Sequence, residues 1–292
     1  EGVMRDDFGD IRFTLPDETP LPYHLKTYTE ADAATFIVLV PSIPAAPDNT
    51  IINIHSGKPD ATTTSSPNDV YLFFDDATGT YGDKWVDIKG TGSYTQIGGV
   101  QAISLNSATT NIRTKDFQVT APFKVELRLY STSVITALQY CQDTTPSTNE
   151  RYHARINVRS SAAYDGILKA GSFITSQTEN FGTPSSWVDC ILTLDNVGHH
   201  SWTVGTATAL TATDTTYTTG YLSLNHHNSG TGAVANLAVS KYTTNPPLVN
   251  EVIWNSNYDL NLIGGVIYTV PDLPELDLSN HYFVNVGGVA YE

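Results

Sequence analysis

The sequence is short of several things, and each shortage narrows its chemistry. Only two of the 292 residues are cysteine, Cys141 and Cys190, and no CxxC spacing occurs, so a cysteine-based zinc site is not expected. Charged residues make up 15%, against about 25% in an ordinary globular domain. Basic residues are the scarcest of them: 15 Lys+Arg stand against 30 Asp+Glu, a formal net charge of −15. A chain this acidic repels phosphate backbones, and nucleic acid is not an expected partner. No stretch approaches the ~20 apolar residues of a membrane-spanning helix. No secretory leader is visible, which fits a processed or trimmed chain. No Asn-x-Ser/Thr acceptor occurs, so N-glycosylation is not expected.

Helical periodicity is also nearly missing. In its place, short runs alternate apolar and polar residues between Gly, Pro, Asn and Asp turns, the pattern of an all-β sandwich. Three segments are read. Residues 1–70 carry "DIRFTL", "PYHLKTY", "ATFIVLVP" and "NTIINIHSG", and end in a polar linker or long loop, "DATTTSSPND". Residues 71–244 supply enough strands for two packed sheets, among them "FKVELRLY", "ITALQYC", "RYHARINVRS", "WVDCILTLD" and "GYLSLNHH". Residues 245–292 form an apolar, Asn-rich tail with "NLIGGVIYTV" and "HYFVNVGGVAYE". The expected fold is all-β: a small β-sandwich-like domain, a jelly roll, and a C-terminal β tail.

Two resemblances attach to these segments. Gly9-Asp10-Ile11-Arg12-Phe13, Leu21-Pro22-Tyr23 and Phe36-Ile37-Val38-Leu39-Val40-Pro41 resemble a domain family of unknown function found in archaeal and bacterial surface proteins. "FFDDATGTYGDKW", "SSWVDCILTL" and "GYLSLNHHNSGTGAVANLAVSKY" are similar to the concanavalin A-like lectin/glucanase jelly rolls. The resemblances imply an extracellular location, on a cell or virion surface, and a lectin-like sheet on which surface glycans could stack. Tyr140, Tyr152 and Tyr164, on neighbouring middle strands, are the expected members of an exposed concave face. Trp85, Trp187 and Trp202 are expected in the core. Such folds often bind calcium, and Asp75 and Asp76 in the opening turn are the best available ligands; no other cofactor is required.

Catalysis is not expected. A retaining glycosidase needs two carboxylates ~5 to 5.5 Å apart, and the Glu-x-Asp-x-x-Glu pattern is absent. Glu126 has Arg128 two residues on, which favours an ion pair. Glu275 and Asp277 alternate correctly but lack a third acid. His199-His200 and His226-His227 are adjacent pairs, so at most one of each can face a shared metal; exposed histidines are the plainer reading. The two cysteines fit buried thiols or a disulfide. The expectation taken forward is a Cys141–Cys190 bond, stabilising by roughly 4 kcal/mol.

The tail suggests assembly. Leu260, Leu262, Val266, Ile267, Val284 and Val286 alternate as strand residues in need of a sheet, and the "GDIRF" hairpin reads as the middle of a domain short of its first strands. Each could complete the other, within one chain or, as the favoured expectation, between neighbours by strand addition. The function expected on this reading is a self-associating, non-enzymatic subunit of a cell-surface appendage, sheath or layer. The alternatives are a glycan-binding adhesin or viral receptor-binding fibre, and then a glycosidase.

Overall fold

The computed structural model describes residues 4–42, 50–105, 109–132, 135–142, 151–157, 165–177, 185–227, 230–242, 251–255, 260–263 and 282–286. The chain divides into two compact units, Glu1–Tyr71 with Asn245–Glu292, and Leu72–Thr244. The tail, expected as a segment of its own, instead belongs to the first unit.

In chain order the strands of the first segment are β1 (Arg12–Thr14), β2 (Tyr23–Thr29), β3 (Ala33–Val38) and β4 (Thr50–His55), followed by a single helical turn, α1 (Pro67–Val70). The second unit holds β5 (Phe73–Asp75), the turn α2 (Tyr81–Lys84), β6 (Trp85–Lys89), β7 (Gly92–Ile97), β8 (Val100–Leu105), β9 (Thr109–Thr120) and β10 (Phe123–Ser131). It continues with β11 (Ile135–Gln142), β12 (Tyr152–Asn157), β13 (Asp165–Lys169), β14 (Ser172–Gln177), β15 (Ser186–Leu194), β16 (His199–Val204), β17 (Leu210–Thr213), β18 (Thr219–His227) and β19 (Gly232–Lys241). The tail adds β20 (Glu251–Asn255), β21 (Leu260–Ile263) and β22 (Tyr282–Val286).

The first unit has a three-stranded sheet, β1-β4-β22, and a four-stranded sheet, β2-β3-β20-β21. Alternation drives Phe13, Tyr23, Phe36, Val38, Ile52 and Ile54 into one core, where Phe13, Tyr23 and Phe36 meet edge to face at 5.3–5.9 Å, a favoured aromatic geometry. The tail strands complete both sheets of their own chain: Val252 stands opposite Phe36 and Val284 opposite Ile52. The pairing is the within-chain alternative of the two expected for the tail. Leu260 and Leu262 lie on β21, beside β20, and Val284 and Val286 lie on β22. Val266, Ile267, Glu275 and Asp277 lie outside the described residues.

The "GDIRF" stretch has a structural task. Asp10, buried, accepts the amides of Arg5 at 3.1 Å and Gly57 at 2.6 Å. Arg12 donates to the carbonyls of Gly9, Ile11 and Thr62, while Arg5 reaches Ala61 O at 2.7 Å. Ser65 Oγ accepts the Leu25 amide, and the Ser66 amide donates to Tyr23 O. The polar stretch 60–69, expected as a linker or long loop, is thus strapped to the first unit.

The second unit is a two-sheet sandwich. One sheet runs β17-β16-β15-β10-β19-β8-β7, with β5 also on β19; the other runs β14-β13-β12-β11-β18-β9-β6. β10 shows why: Phe123, Val125, Leu127 and Leu129 are buried while Lys124, Glu126, Arg128 and Tyr130 alternate outward. Each such apolar side chain contributes about 1.5–3 kcal/mol on burial. Trp85 and Trp202 are in the core as expected, whereas Trp187 lies on the outer side, its Nε1 donating to Ile97 O at 3.2 Å. Glu126 pairs with Lys124 at 3.3 Å and Arg128 with Asp189 at 3.2 Å, in place of the expected Glu126–Arg128 pair.

Cys141 and Cys190 are both buried free thiols, which corrects the expected disulfide. They belong to different sheets, Cys141 on β11 and Cys190 on β15, and each packs into the apolar core between them. Burial pushes the Cys141 thiol up to about 12, so little nucleophilic thiolate forms near neutrality. Neither thiol should react with Ellman's reagent in the native protein, and both should react after denaturation without reductant; silence after denaturation would instead reveal a disulfide.

Candidate functional site

The tyrosines expected on an open face point the other way. Tyr140 and Tyr152 are fully buried between the sheets, their rings stacked at 5.3 Å. Tyr140 OH and His200 Nδ1 lie 2.9 Å apart, and Tyr152 OH donates to Asp214 Oδ1 at 2.5 Å. Lys169 Nζ meets the other Asp214 oxygen at 2.6 Å. Burial works against ionisation of Asp214, but the hydrogen bonds from Lys169, Tyr152 and Thr216 outweigh it and hold the carboxyl well below its usual range. These side chains form a satisfied structural network, and the expected glycan role of Tyr140 and Tyr152 is corrected. Tyr164 lies outside the described residues.

Asp75 is likewise occupied. It is fully buried and accepts from Trp85 Nε1 at 2.5 Å, Tyr94 OH at 2.9 Å and the Ala77 amide at 2.9 Å, with Lys84 Nζ at 3.4 Å. Asp76 Oδ1 accepts the amide and hydroxyl of Thr78, an ordinary Asx turn. The opening turn therefore spends the Asp75 oxygens on protein donors, which corrects its assignment as a calcium ligand. Among the described residues no cluster of three or more His, Cys, Asp or Glu is placed to hold a metal. The histidine pairs obey strand alternation: His200 and His226 are buried, His199 and His227 exposed. The expectation of exposed histidines therefore holds for only one of each pair.

The positions next to the buried tyrosines build the more informative surface. Tyr152, Ala154 and Ile156 of β12 face the core, which turns Arg151, His153 and Arg155 outward. On β11, Leu138 and Tyr140 face inward and Gln139 outward; on β18, Leu222 and Leu224 face inward and Tyr221, Ser223 and Asn225 outward. On β9, Ile112 faces inward and Asn111 and Arg113 outward. The register joins these residues across four strands: Arg113 opposes Ser223, Ser223 opposes Gln139, and Gln139 opposes His153. A row that is polar on these four strands thus lies on the outward face of the seven-stranded sheet, continued by Val86 on β6 and Leu168 on β13.

Two arginine–aromatic pairs flank Gln139. The Arg113 guanidinium lies 4.1 Å from the centroid of Tyr221, and that of Arg155 lies 4.4 Å from the centroid of Phe173. Phe173, 40% exposed, lies over Gly166: a Cβ at 166 would come within 2.9 Å of the ring. Ser223 donates to Gln142 Oε1, and Asn225 Nδ2 to Thr110 O at 3.3 Å. Arg151 Nε donates to His153 Nε2 at 2.7 Å. Burial, together with the charges of Arg151 and Arg155 and the nearby His227, pushes His153 down to about 3. That imidazole is neutral near pH 7 and acts as an acceptor there.

The floor of this face is left unsatisfied by the protein. Gln139 is 1% exposed, yet neither its Oε1 nor its Nε2 has a hydrogen-bond partner; Asn111 Oδ1 and Arg113 Nε on the same face are also buried and unpartnered. Each such atom costs about 1–3 kcal/mol when left dry, and most buried polar groups in native proteins are paired. Groups of this kind are paired by ordered water or by a bound molecule. The sequence signal for this surface was present in the alternation itself, with the opposite phase from the one expected.

Residues 7–88 match the model of a domain of unknown function, DUF2341. No curated protein sequence matches the chain. Among solved structures, the carbohydrate-binding module CBM66 from Bacillus subtilis is similar with a TM-score of 0.44 and 13% identity, covering 54% of this chain and 96% of that one. A Bacillus subtilis protein of unknown function with a galectin-like fold gives 0.47 and 12%, covering 59% and 96%. A putative glycosyl hydrolase from Parabacteroides distasonis gives 0.44 and 12%, covering 58% and 100%. Likeness of this degree does not extend to function.

Proposed function

We propose that this chain is a non-enzymatic, extracellular glycan-binding protein that binds through the outward face of its seven-stranded sheet. The observation that carries this reading is Gln139: a buried carboxamide with a donor group and an acceptor both unpartnered, in the middle of a polar row flanked by aromatic rings. Sugar hydroxyls both donate and accept, and pyranose faces pack on aromatic rings, so the surface offers what a glycan needs. The outward positions described on β9, β11, β12 and β18 hold Arg, His, Asn, Gln, Ser and Tyr, without the paired carboxylates that glycoside hydrolysis needs. The subunit reading rested on tail strands in need of a sheet, and here β20 and β22 pair with β3 and β4 of their own chain.

The test is a glycan array probed with the full chain and with Gln139→Leu. Leucine keeps the bulk but removes the unpartnered atoms. The variant should therefore be more stable, by about 1–3 kcal/mol, while losing glycan binding. This opposition of stability and function is the mark of a binding residue. A variant that is less stable, or that binds the same glycans undiminished, contradicts the reading. Phe173→Ala, at an exposed position, should weaken binding without lowering the melting temperature by more than about 2 °C.

A further inference from the structure

We propose that the glycan is an uncharged oligosaccharide whose hydroxyl groups serve two stations on the face, Gln139 and the Asn111–Arg113 pair, an inference that rests on the binding face assigned above. The atoms left open there form a balanced set. Gln139 offers an acceptor, Oε1, and a donor, Nε2; on β9, Asn111 offers the acceptor Oδ1 and Arg113 the donor Nε. All four atoms are buried and unpartnered. Each station thus calls for one group that donates and one that accepts, and a hydroxyl does both. A carboxylate or sulfate carries acceptors only. It could take the two donors, but it would face the carbonyl oxygens of Gln139 and Asn111 with like partial charge. Those two oxygens would stay unpaired, at the usual penalty for a buried acceptor.

The arginines of the face are engaged already. Arg113 Nη1 donates to the carbonyls of Thr114 at 3.1 Å and Lys115 at 3.4 Å, and its guanidinium lies over the Tyr221 ring. Arg151 donates to His153, and Arg155 lies over Phe173. Lys89, opposite Asn111 on the edge strand β6, is exposed, where an ammonium keeps its hydration. The chain around them carries a formal net charge of −15, which repels an approaching anion. The hydroxyl between the stations has its own partner, Ser223 donating to Gln142 Oε1. Ser223 stands opposite both Arg113 and Gln139, so the stations lie two strand spacings apart, about 10 Å. That spacing suits hydroxyls on neighbouring sugars of one chain.

An array tests this with the full chain when every neutral oligosaccharide is printed beside a uronic-acid or sulfated form of the same backbone, carboxyl-reduced oligogalacturonides beside the parent oligomers among them. The tightest binder should be neutral, and its anionic counterpart about ten-fold or more weaker. Neutral binding should hold as salt is raised, there being no ion pair to screen. Asn111→Leu should weaken it about two- to ten-fold, while Lys89→Gln should leave it intact. If the anionic counterpart binds as tightly or tighter, or Asn111→Leu binds undiminished, the inference is wrong and the glycan-binding reading survives. If no glycan binds, both fall, the four open atoms then being paired by ordered water alone.

Discussion

Replacing Asp75 by alanine is expected to lower the melting temperature of the Leu72–Thr244 unit by about 6–20 °C. Removing one partner of a buried charged pair typically costs 3–5 kcal/mol, and in a domain of this size each kcal/mol moves the midpoint by about 2–4 °C. The loss falls on four donors at once. Trp85 Nε1, Tyr94 OH and the Ala77 amide would be left without an acceptor, and the Lys84 ammonium without its counter-charge. Burial and the neighbouring Asp75 charge push the Tyr94 hydroxyl well above its usual range, which keeps it a donor. Asp75 sits on β5, which closes onto β19, so the damage reaches a central strand. Calorimetric melts of wild type and D75A give the answer. A shift below about 2 °C would mean that Asp75 does not hold the opening turn. Since its oxygens already have protein donors, EDTA is expected to leave the wild-type melt unmoved.

Deleting residues 245–292 is expected to unfold the first unit and leave the second intact. Without the tail, β3 loses β20 and β4 loses β22. What remains is two two-stranded ribbons, β1 with β4 and β2 with β3, and isolated ribbons of that kind are marginal in water. The core of Phe13, Tyr23, Phe36, Ile52 and Ile54 then has no complete sheet to hold it. Limited proteolysis should cut the truncated protein freely between residues 4 and 66 while sparing 72–242, and a calorimetric scan should lose one of two transitions. Persistent protection of the first 66 residues after truncation would show that the tail strands do not complete that unit.

Much of the architecture was legible from alternation alone. The pattern of β10, apolar at Phe123, Val125, Leu127 and Leu129, fixes a half-buried strand without knowledge of its neighbours. Alternation does not say which of two apolar or aromatic sets faces the core. Tyr140 and Tyr152 are large, amphipathic and equally suited to a binding face or, with their hydroxyls bonded to His200 and Asp214, to the interior. Reading them outward reverses the phase of two strands, and a one-residue reversal moves every side chain to the other face. Gln139, His153 and Arg155 were hidden by that choice. The partner of a strand is also beyond a single sequence: the tail's apolar character marked β20–β22 as sheet formers, but hydrogen-bonding edges do not record whether they close within a chain or between chains. Cys141 and Cys190 mark a similar limit: placing two cysteines in strands of one sandwich does not bring their sulfurs to bonding distance.

The central claim is that a glycan sits on the outward face of the seven-stranded sheet, and a crystal structure of the full chain soaked with the tightest-binding array oligosaccharide tests it most directly. The expected result is density over Gln139, with sugar hydroxyls within hydrogen-bond distance of its Oε1 and Nε2. Density on the outer side of the other sheet, around Trp187 and Tyr130, or on the first unit, with Gln139 still unpartnered, would contradict it.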